Sequence, residues 1–500
     1  MSAHFDNSYA RLGDHYSSSV QPSTAANPGW MLFNDELANE ISWPSEWRQS
    51  ESTLEALAGN RLLAGSDPIA TVYAGHQFGS YNPQLGDGRA ILLGEWLTDT
   101  GRRVDIQLKG AGATPFSRGG DGRSPIGPVV REFLISEAMH TLGVPTTRAL
   151  AAVATGERVY RTRVEPGAIL TRVASSHLRI GTAQYFAMTQ GGEGLSTWVD
   201  YVLERHYGEA WERESSATSA SHSLGFYKSK ASVLLAEVGK RLASLAAHWQ
   251  SLGFIHGVLN TDNMLLCGET IDYGPCAFMD GHDPKRVFSS IDSQGRYAYG
   301  NQPSIVHWNL SVLAQCLLPL ISDDEEQALS VAQSIVDAFP QQYTDAYSAF
   351  MAAKFGLDGL RPDDKQLVDE FFEAISADAL DFTLAFRWLT ETAHGTIDHT
   401  PMPELFTPNP ALNTWLPKWQ ARRSNASEAS DSRMAACNPV VIPRNHQIAR
   451  AIEAAEAHDY SIMAALYKRL RAPAVWSEGD TTWAASPQPE EIVQRTFCGT

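Results

Sequence analysis

Residues 253–275 bring together groups that could handle phosphate chemistry: Gly253-Phe-Ile-His-Gly-Val-Leu-Asn-Thr-Asp-Asn263, then Thr270-Ile-Asp-Tyr-Gly-Pro275. An Asn and a following Asp in such a loop supply oxygen donors for a divalent cation that bridges phosphates. A second carboxylate nearby can take the proton of an attacking hydroxyl. Asp262, Asn263 and Asp272 are those groups here. Single loop Asp and Asn residues usually cap turns, so the ordered set carries the inference.

His256 and Asn263 keep the separation of the protein-kinase catalytic loop, and Asp272-Tyr-Gly274 stands where its metal-binding turn stands. Val258 occupies the position of the kinase base, while Asp262 offers a carboxylate four residues further on. Upstream, Lys109 ends an apolar stretch and Glu132 follows on a helical one, the arrangement in which Lys reaches phosphates and Glu holds it. Glu137 lies about half a turn round that helix from Glu132. Two glycine clusters, Gly86-Asp-Gly-Arg89 and Gly110 to Gly127 with Arg118, Asp121, Gly122 and Arg123, could present backbone N–H groups to phosphate. Neither matches the P-loop or the dinucleotide pattern, and such loops are commonly plain turns. Arg172 and Arg179 suit an anionic oxygen fork, but residue chemistry alone leaves them open between ligand and solvated surface. H-E-x-x-H, G-x-S-x-G and the EF-hand loop are absent from the sequence.

The elements that must position these groups fall into two textures. From 61 to 190, short apolar strands (90–96, 103–108, 149–153, 168–173) alternate with glycine turns, interrupted by a helix over 128–142 that stops at Gly143. From 191 to 420 the pattern is mainly helical, with an amphipathic helix over 231–252, a loop at 256–263, two brief strands at 264–266 and 270–272, and helices near 305–320, 325–338 and 366–378. Residues 1–60, rich in Trp, Pro and Ser, read as an extension packed on something larger. Residues 421–500 read as a Ser/Asn-rich linker over 422–432, a helix over 446–470 and a tail, and 215–223 as a polar loop. The fold class is α+β: a β-rich lobe, a helical lobe, and a cleft between them suited to a nucleotide.

Composition sets the limits. In 500 residues, 57 carboxylates oppose 39 Lys and Arg for a net charge of −18, which argues against nucleic acid as the main partner. Five scattered cysteines without C-x-x-C suggest neither a disulfide framework nor a zinc site. The N-terminus has no apolar stretch, and the run Val312–Ile321 is too short to span a bilayer. A cytoplasmic protein with no membrane partner is the expectation.

Three segments, Tyr73-Ala-Gly-His-Gln-Phe-Gly-Ser-Tyr-Asn-Pro-Gln-Leu-Gly-Asp-Gly-Arg89, Gln107-Leu-Lys-Gly-Ala-Gly-Ala-Thr-Pro-Phe-Ser-Arg118, and His256–Asn263 with Ile271–Pro275, resemble the selenoprotein O (SelO) family. The resemblance runs from about residue 30 to the C-terminus. It implies a protein-kinase-like bilobal fold and transfer of AMP from ATP to Ser, Thr or Tyr hydroxyls of proteins, with ATP flipped relative to ordinary kinases. It further implies that Gly86, Gly88, Arg89, Lys109, Asp121, Gly122, Arg172, Arg179 and Asp272 contact ATP, with Glu132 as ion-pair partner of Lys109. Asp262 would then be the base, and Asn263 and Asp272 would hold Mg²⁺ or Mn²⁺. UMP transfer from UTP with Mn²⁺ is a variant within the same class. A conventional γ-phosphoryl kinase and a catalytically silent ATP-binding scaffold are the rival readings. Cys498 matches the redox-relevant C-terminal cysteine of many members. Phe288 and Ser289 stand near its usual partner's place, so the resemblance leaves a Cys276–Cys498 bridge as an expectation.

Overall fold

The alternating aliphatic residues of 90–108 and 148–174 make strands that bury both faces. In the computed structural model, which describes residues 4–216 and 229–493, they form one antiparallel sheet. The first ten strands are β1 (Ser17–Ser19), β2 (Gly29–Phe33), β3 (Ile69–Thr71), β4 (Gly75–Gln77), β5 (Ser80–Asn82), β6 (Ala90–Leu97), β7 (Arg103–Lys109), β8 (Ser124–Pro125), β9 (Arg148–Tyr160) and β10 (Val164–Ala174). The sheet has eight strands in the order β1-β3-β6-β7-β10-β9-β2, with β8 on β10, while β4 and β5 make a separate hairpin. Residues 1–60 thus supply both ends of this order.

The two faces are covered differently. Ile91, Leu93, Ile106 and Leu108 pack with Trp43 and Leu57, brought by the helices α1 (Asp35–Glu40) and α2 (Glu51–Leu57) and the turn between them. The opposite face meets α3 (Ile126–Thr141), which is buried almost all round because the sheet lies on one side and two C-terminal helices on the other. Gly143, with φ +80°, lies just past its end.

The remainder is helical: α4 (Ile180–Thr189), α5 (Gly191–Ser216), α6 (Lys230–Ser251), α7 (Gln302–Ile321), α8 (Glu325–Asp337), α9 (Phe339–Lys354), α10 (Asp364–Ala377), α11 (Phe382–His394), α12 (Met402–Leu405), α13 (Pro410–Arg423), α14 (Glu428–Cys437), α15 (Asn445–Glu456), α16 (Ser461–Leu470) and α17 (Asp480–Ala484). A two-stranded pair, β11 (Phe254–Ile255) with β12 (Ala277–Phe278), brackets the 256–276 segment.

Several expectations are corrected. The strands at 264–266 and 270–272 reduce to isolated bridges, Met264–Thr270 between them and Arg179–Leu265 and Thr146–Thr270 to other segments, because Ile180 N–H bonds Met264 O, Leu266 N–H bonds Leu178 O and Thr270 N–H bonds Pro145 O. Those backbone groups are spent on other segments, which pins the loop from outside. The linker over 422–432 shrinks to a short turn, since Ser427 caps α14 by accepting from Ser430 N–H. The helix over 446–470 is two helices, with His458 at φ +63° between them. The apolar run Val312–Ile321 belongs to a longer segment, Tyr299–Ile321, whose length and mean hydropathy of 1.5 suffice to cross a membrane. Its helix packs against α4, α6 and α8, with 44% of its most apolar window buried. Of the polar loop at 215–223, residues 215 and 216 end α5 and the rest lies outside the described residues.

Candidate functional site

Sheet register assembles the first half of the site. Leu170 lies opposite Lys109 and Arg172 opposite Gln107, so Gln107, Lys109 and Arg172 share the face turned to α3. There Glu132, 1% exposed, accepts from Lys109 Nζ at 2.6 Å and from Arg172 Nε. Arg172 also donates to Asp272, whose Oδ1 lies 3.0 Å from Lys109 Nζ, and Arg179 Nη1 lies 3.6 Å from Asp272 Oδ2. Three cations therefore surround these two carboxylates, and Arg179 also faces a third, the buried Asp87. Burial alone would raise the Asp272 pKa, but Arg172, Lys109 and Arg179 outweigh it and hold that carboxyl well below the usual range. Glu132 is lowered in the same way: burial opposes ionisation, and Arg172 and Lys109 prevail. Glu137 faces elsewhere and pairs with Arg148 at 2.9 Å.

Opposite this cluster stands the loop 256–263. His256, fully buried, bonds Ile271 O through Nε2 at 2.8 Å and ties the loop to the segment bearing Asp272. Burial pushes its pKa down. Asn263 Nδ2 donates to Val258 O at 3.0 Å, which leaves Oδ1 to accept or to ligate. Asp262 is 7% exposed, its Oδ2 accepts from Gln77 Nε2 at 3.1 Å, and its Oδ1 has no hydrogen-bond partner. Burial raises its pKa to about 6, against the pull of Arg179 and Gln77. Val258 lines the same space without any titratable group.

Between the two walls lies a cleft of about 440 Å³. Gly86, Gly88, Arg89, Lys109, Asp121, Gly122, Arg172, Arg179, Asp262, Asn263 and Asp272 all border it, with Glu132 behind Lys109. Gly122 has φ +66°, and a Cβ there would stand 1.9 Å from Gly112 O, so the loop closes this tightly only with glycine. Asp121 accepts two hydrogen bonds from Arg161, which draws that guanidinium to the rim.

Sequence reasoning missed four contributors. Tyr73 lies under the Arg179 guanidinium, 4.4 Å from it, and buried Asp87 sits 3.5 Å from Arg179 Nη2. Arg161 and Gln77 complete the lining. Tyr73, Gln77 and Asp87 lie within the Tyr73–Arg89 segment, which gave them no role of their own.

Among the described residues, no three His, Cys, Asp or Glu groups gather as a metal set. The Asn263 and Asp272 oxygens nevertheless suit a hard cation that takes its other ligands from phosphates and water. Cys276 is fully buried, and its carbonyl accepts from Arg131 Nη1 at 3.2 Å. Cys498, the other half of the expected bridge, lies outside the described residues.

A cationic, glycine-lined cleft under an antiparallel sheet, faced by an Asp–Asn pair, defines a nucleotide-handling enzyme. Comparison with known proteins narrows the class. The family described as "Protein adenylyltransferase SelO" matches residues 1–471. The chain is 48% identical over 501 residues to the protein nucleotidyltransferase YdiU of Bradyrhizobium sp. (strain BTAi1), covering 99% of each chain. It is 47% identical over 504 residues to that of Rhodopseudomonas palustris (strain HaA2) and 46% identical over 500 residues to that of Anoxybacillus flavithermus, again covering 99% of each. The chain belongs to the SelO family.

Proposed function

We propose that this protein transfers AMP from ATP to Ser, Thr or Tyr hydroxyls of target proteins and releases pyrophosphate. The observation that carries the reading is the exchange of roles at the loop: Val258 lines the cleft where a kinase would place its base, and Asp262 offers a buried carboxylate with one unpartnered oxygen. The fold is read as protein-kinase-like, with 61–190 as nucleotide-binding lobe, 191–420 as helical lobe, and 1–60 and 421–500 wrapped on them.

In this reading Lys109, Arg172 and Arg179 bind the phosphates, Glu132 orients Lys109 and Arg172, and the loops of Gly86, Gly88, Arg89, Asp121 and Gly122 enclose the nucleotide. Asp262 takes the acceptor's hydroxyl proton. The freed oxygen attacks the α-phosphorus, and the bond from that phosphorus to the bridging oxygen breaks as pyrophosphate leaves with the electron pair. Such proton removal contributes roughly 10²–10⁴-fold. Asn263 and Asp272 would hold Mg²⁺ or Mn²⁺, which neutralises phosphate charge. The three cations gathered on one wall of the cleft fit a polyanionic substrate.

ATP labelled at the α- or the γ-phosphate decides the matter. Label in protein from the α-position only is the expected result; label from the γ-position only makes the protein a kinase, and none makes it a scaffold. A parallel incubation with α-labelled UTP and Mn²⁺ reports on the nucleobase.

A further inference from the structure

The hairpin β4–β5 has no part in the proposed nucleotide contacts, yet its first strand and turn reach every residue of Asn260-Thr261-Asp262. Phe78 N–H donates to Asn260 Oδ1 at 3.1 Å, His76 N–H to Thr261 Oγ1 at 2.7 Å, and Gln77 Nε2 to Asp262 Oδ2 at 3.1 Å. Thr261 Oγ1 in turn donates to Gln184 Oε1 at 2.6 Å, and Gln184 Nε2 meets His76 Nδ1 at 2.8 Å, which closes a ring around the loop. Tyr297 OH donates to Asn260 Oδ1 from the other side at 2.7 Å. A Cβ on Gly75 would stand 2.6 Å from Asp262 Oδ1, so the strand backbone lies directly against that carboxylate.

Gln77 donates its hydrogen bond straight to the Asp262 carboxylate. A base accepts a proton efficiently when its carboxylate is held in one productive orientation. Oδ2 is held by Gln77, and Oδ1 is buried against the Gly75 strand without a hydrogen-bond partner, on a residue that lines the cleft. We propose that Gln77 is a positioning residue for the transfer step, fixing the Asp262 carboxylate in the cleft in the orientation that meets the acceptor hydroxyl. The inference rests on reading Asp262 as the base.

Gln77→Met keeps length and removes the donor, and a cycle with Asp262→Asn separates the two claims. Transfer is read with α-labelled ATP and dephosphorylated casein as acceptor probe, alongside ATP dissociation constants and melting temperatures. Gln77→Met should lower kcat about tenfold, as expected for a lost hydrogen bond to a carboxylate, with ATP affinity and melting temperature unchanged. In the Asp262→Asn background the same substitution should have no further effect. Wild-type kcat in Gln77→Met, an equal loss in the Asp262→Asn background, or a loss explained by weaker ATP binding or a lower melting temperature overturns the role of Gln77 while leaving Asp262 as base. Wild-type kcat in Asp262→Asn, or wild-type protein that labels neither casein nor itself, overturns the base reading and the inference together.

Discussion

Glu132→Gln tests the charge balance of the site most directly. The change conserves volume and removes one negative charge from a position 1% exposed. Lys109, Arg172 and Arg179 balance Glu132, Asp272 and Asp87, so the change leaves one positive charge in surplus. The new amide still accepts from Arg172, but its NH₂ points a donor at the Lys109 ammonium, formerly 2.6 Å from carboxylate. Breaking one side of a buried ion pair costs about 3–5 kcal/mol. Asp272 stays within 3.0 Å of Lys109, which favours the lower end. Over 500 residues, an unfolding entropy of about 2.1 cal/mol/K per residue gives about 1 kcal/mol/K, so the melting temperature should fall by about 3 °C. Nucleotide phosphates neutralise the extra charge, so saturating MgATP should raise the variant's melting temperature at least as much as the wild type's. Transfer should drop about tenfold or more because Lys109 has lost its orienting partner. Thermal unfolding with and without MgATP, paired with α-label transfer, measures both effects. An unchanged melting temperature without nucleotide, or a smaller nucleotide shift with unimpaired transfer, refutes the reasoning.

Asp272→Ala should abolish Mg²⁺-dependent nucleotide binding and transfer, read by titration with and without chelator; undiminished activity sinks the site assignment. Gly122→Ala forces a methyl to within 1.9 Å of Gly112 O and should weaken MgATP binding by roughly tenfold, which calorimetry would detect as a raised Kd. Lys354 is 3% exposed, has no ion pair among the described residues and lies over the Phe386 ring at 4.2 Å, and burial lowers its pKa from 10.5 to about 8. The unfolded chain holds that proton to higher pH than the folded one, so this group's contribution to stability rises from about pH 8 to 10.5. Lys354→Met should stabilise the protein at neutral pH by about 3 kcal/mol, and the advantage should shrink as pH rises through that window; a pH-independent gap contradicts the account.

What could be read in the sequence was what is local along the chain. The 256–272 set and the Lys109–Glu132 pairing are spacings, and a spacing survives without knowledge of the fold. Arg172 and Arg179 stayed undecided because their meaning depends on register: Arg172 joins the site by lying opposite Gln107. Gln77 and Tyr73 act across 185 and 106 positions, on Asp262 and Arg179, distances at which no periodicity operates. The strands expected at 264–266 and 270–272 had suitable residues, but their backbone partners are Pro145, Leu178 and Ile180. Residues 446–470 read as one helix because the apolar stripe continues through a break set by the left-handed backbone of His458.

The sheet's outer strands have a consequence for how the chain is made. β1 pairs with β3, at residues 69–71, but β2 pairs with β9, at residues 151–154. During synthesis the residues of β2 leave the ribosome well over a hundred positions before their partner. At about 5–20 residues per second they wait for several seconds as an uncovered strand. Early Trp30 and Phe33 must stay out of other pairings for that interval. β2, the second strand translated, is paired only after most of the sheet has been made, and the cationic cluster of Lys109, Glu132 and Arg172 is complete only after β10 has emerged and docked between β7 and β9.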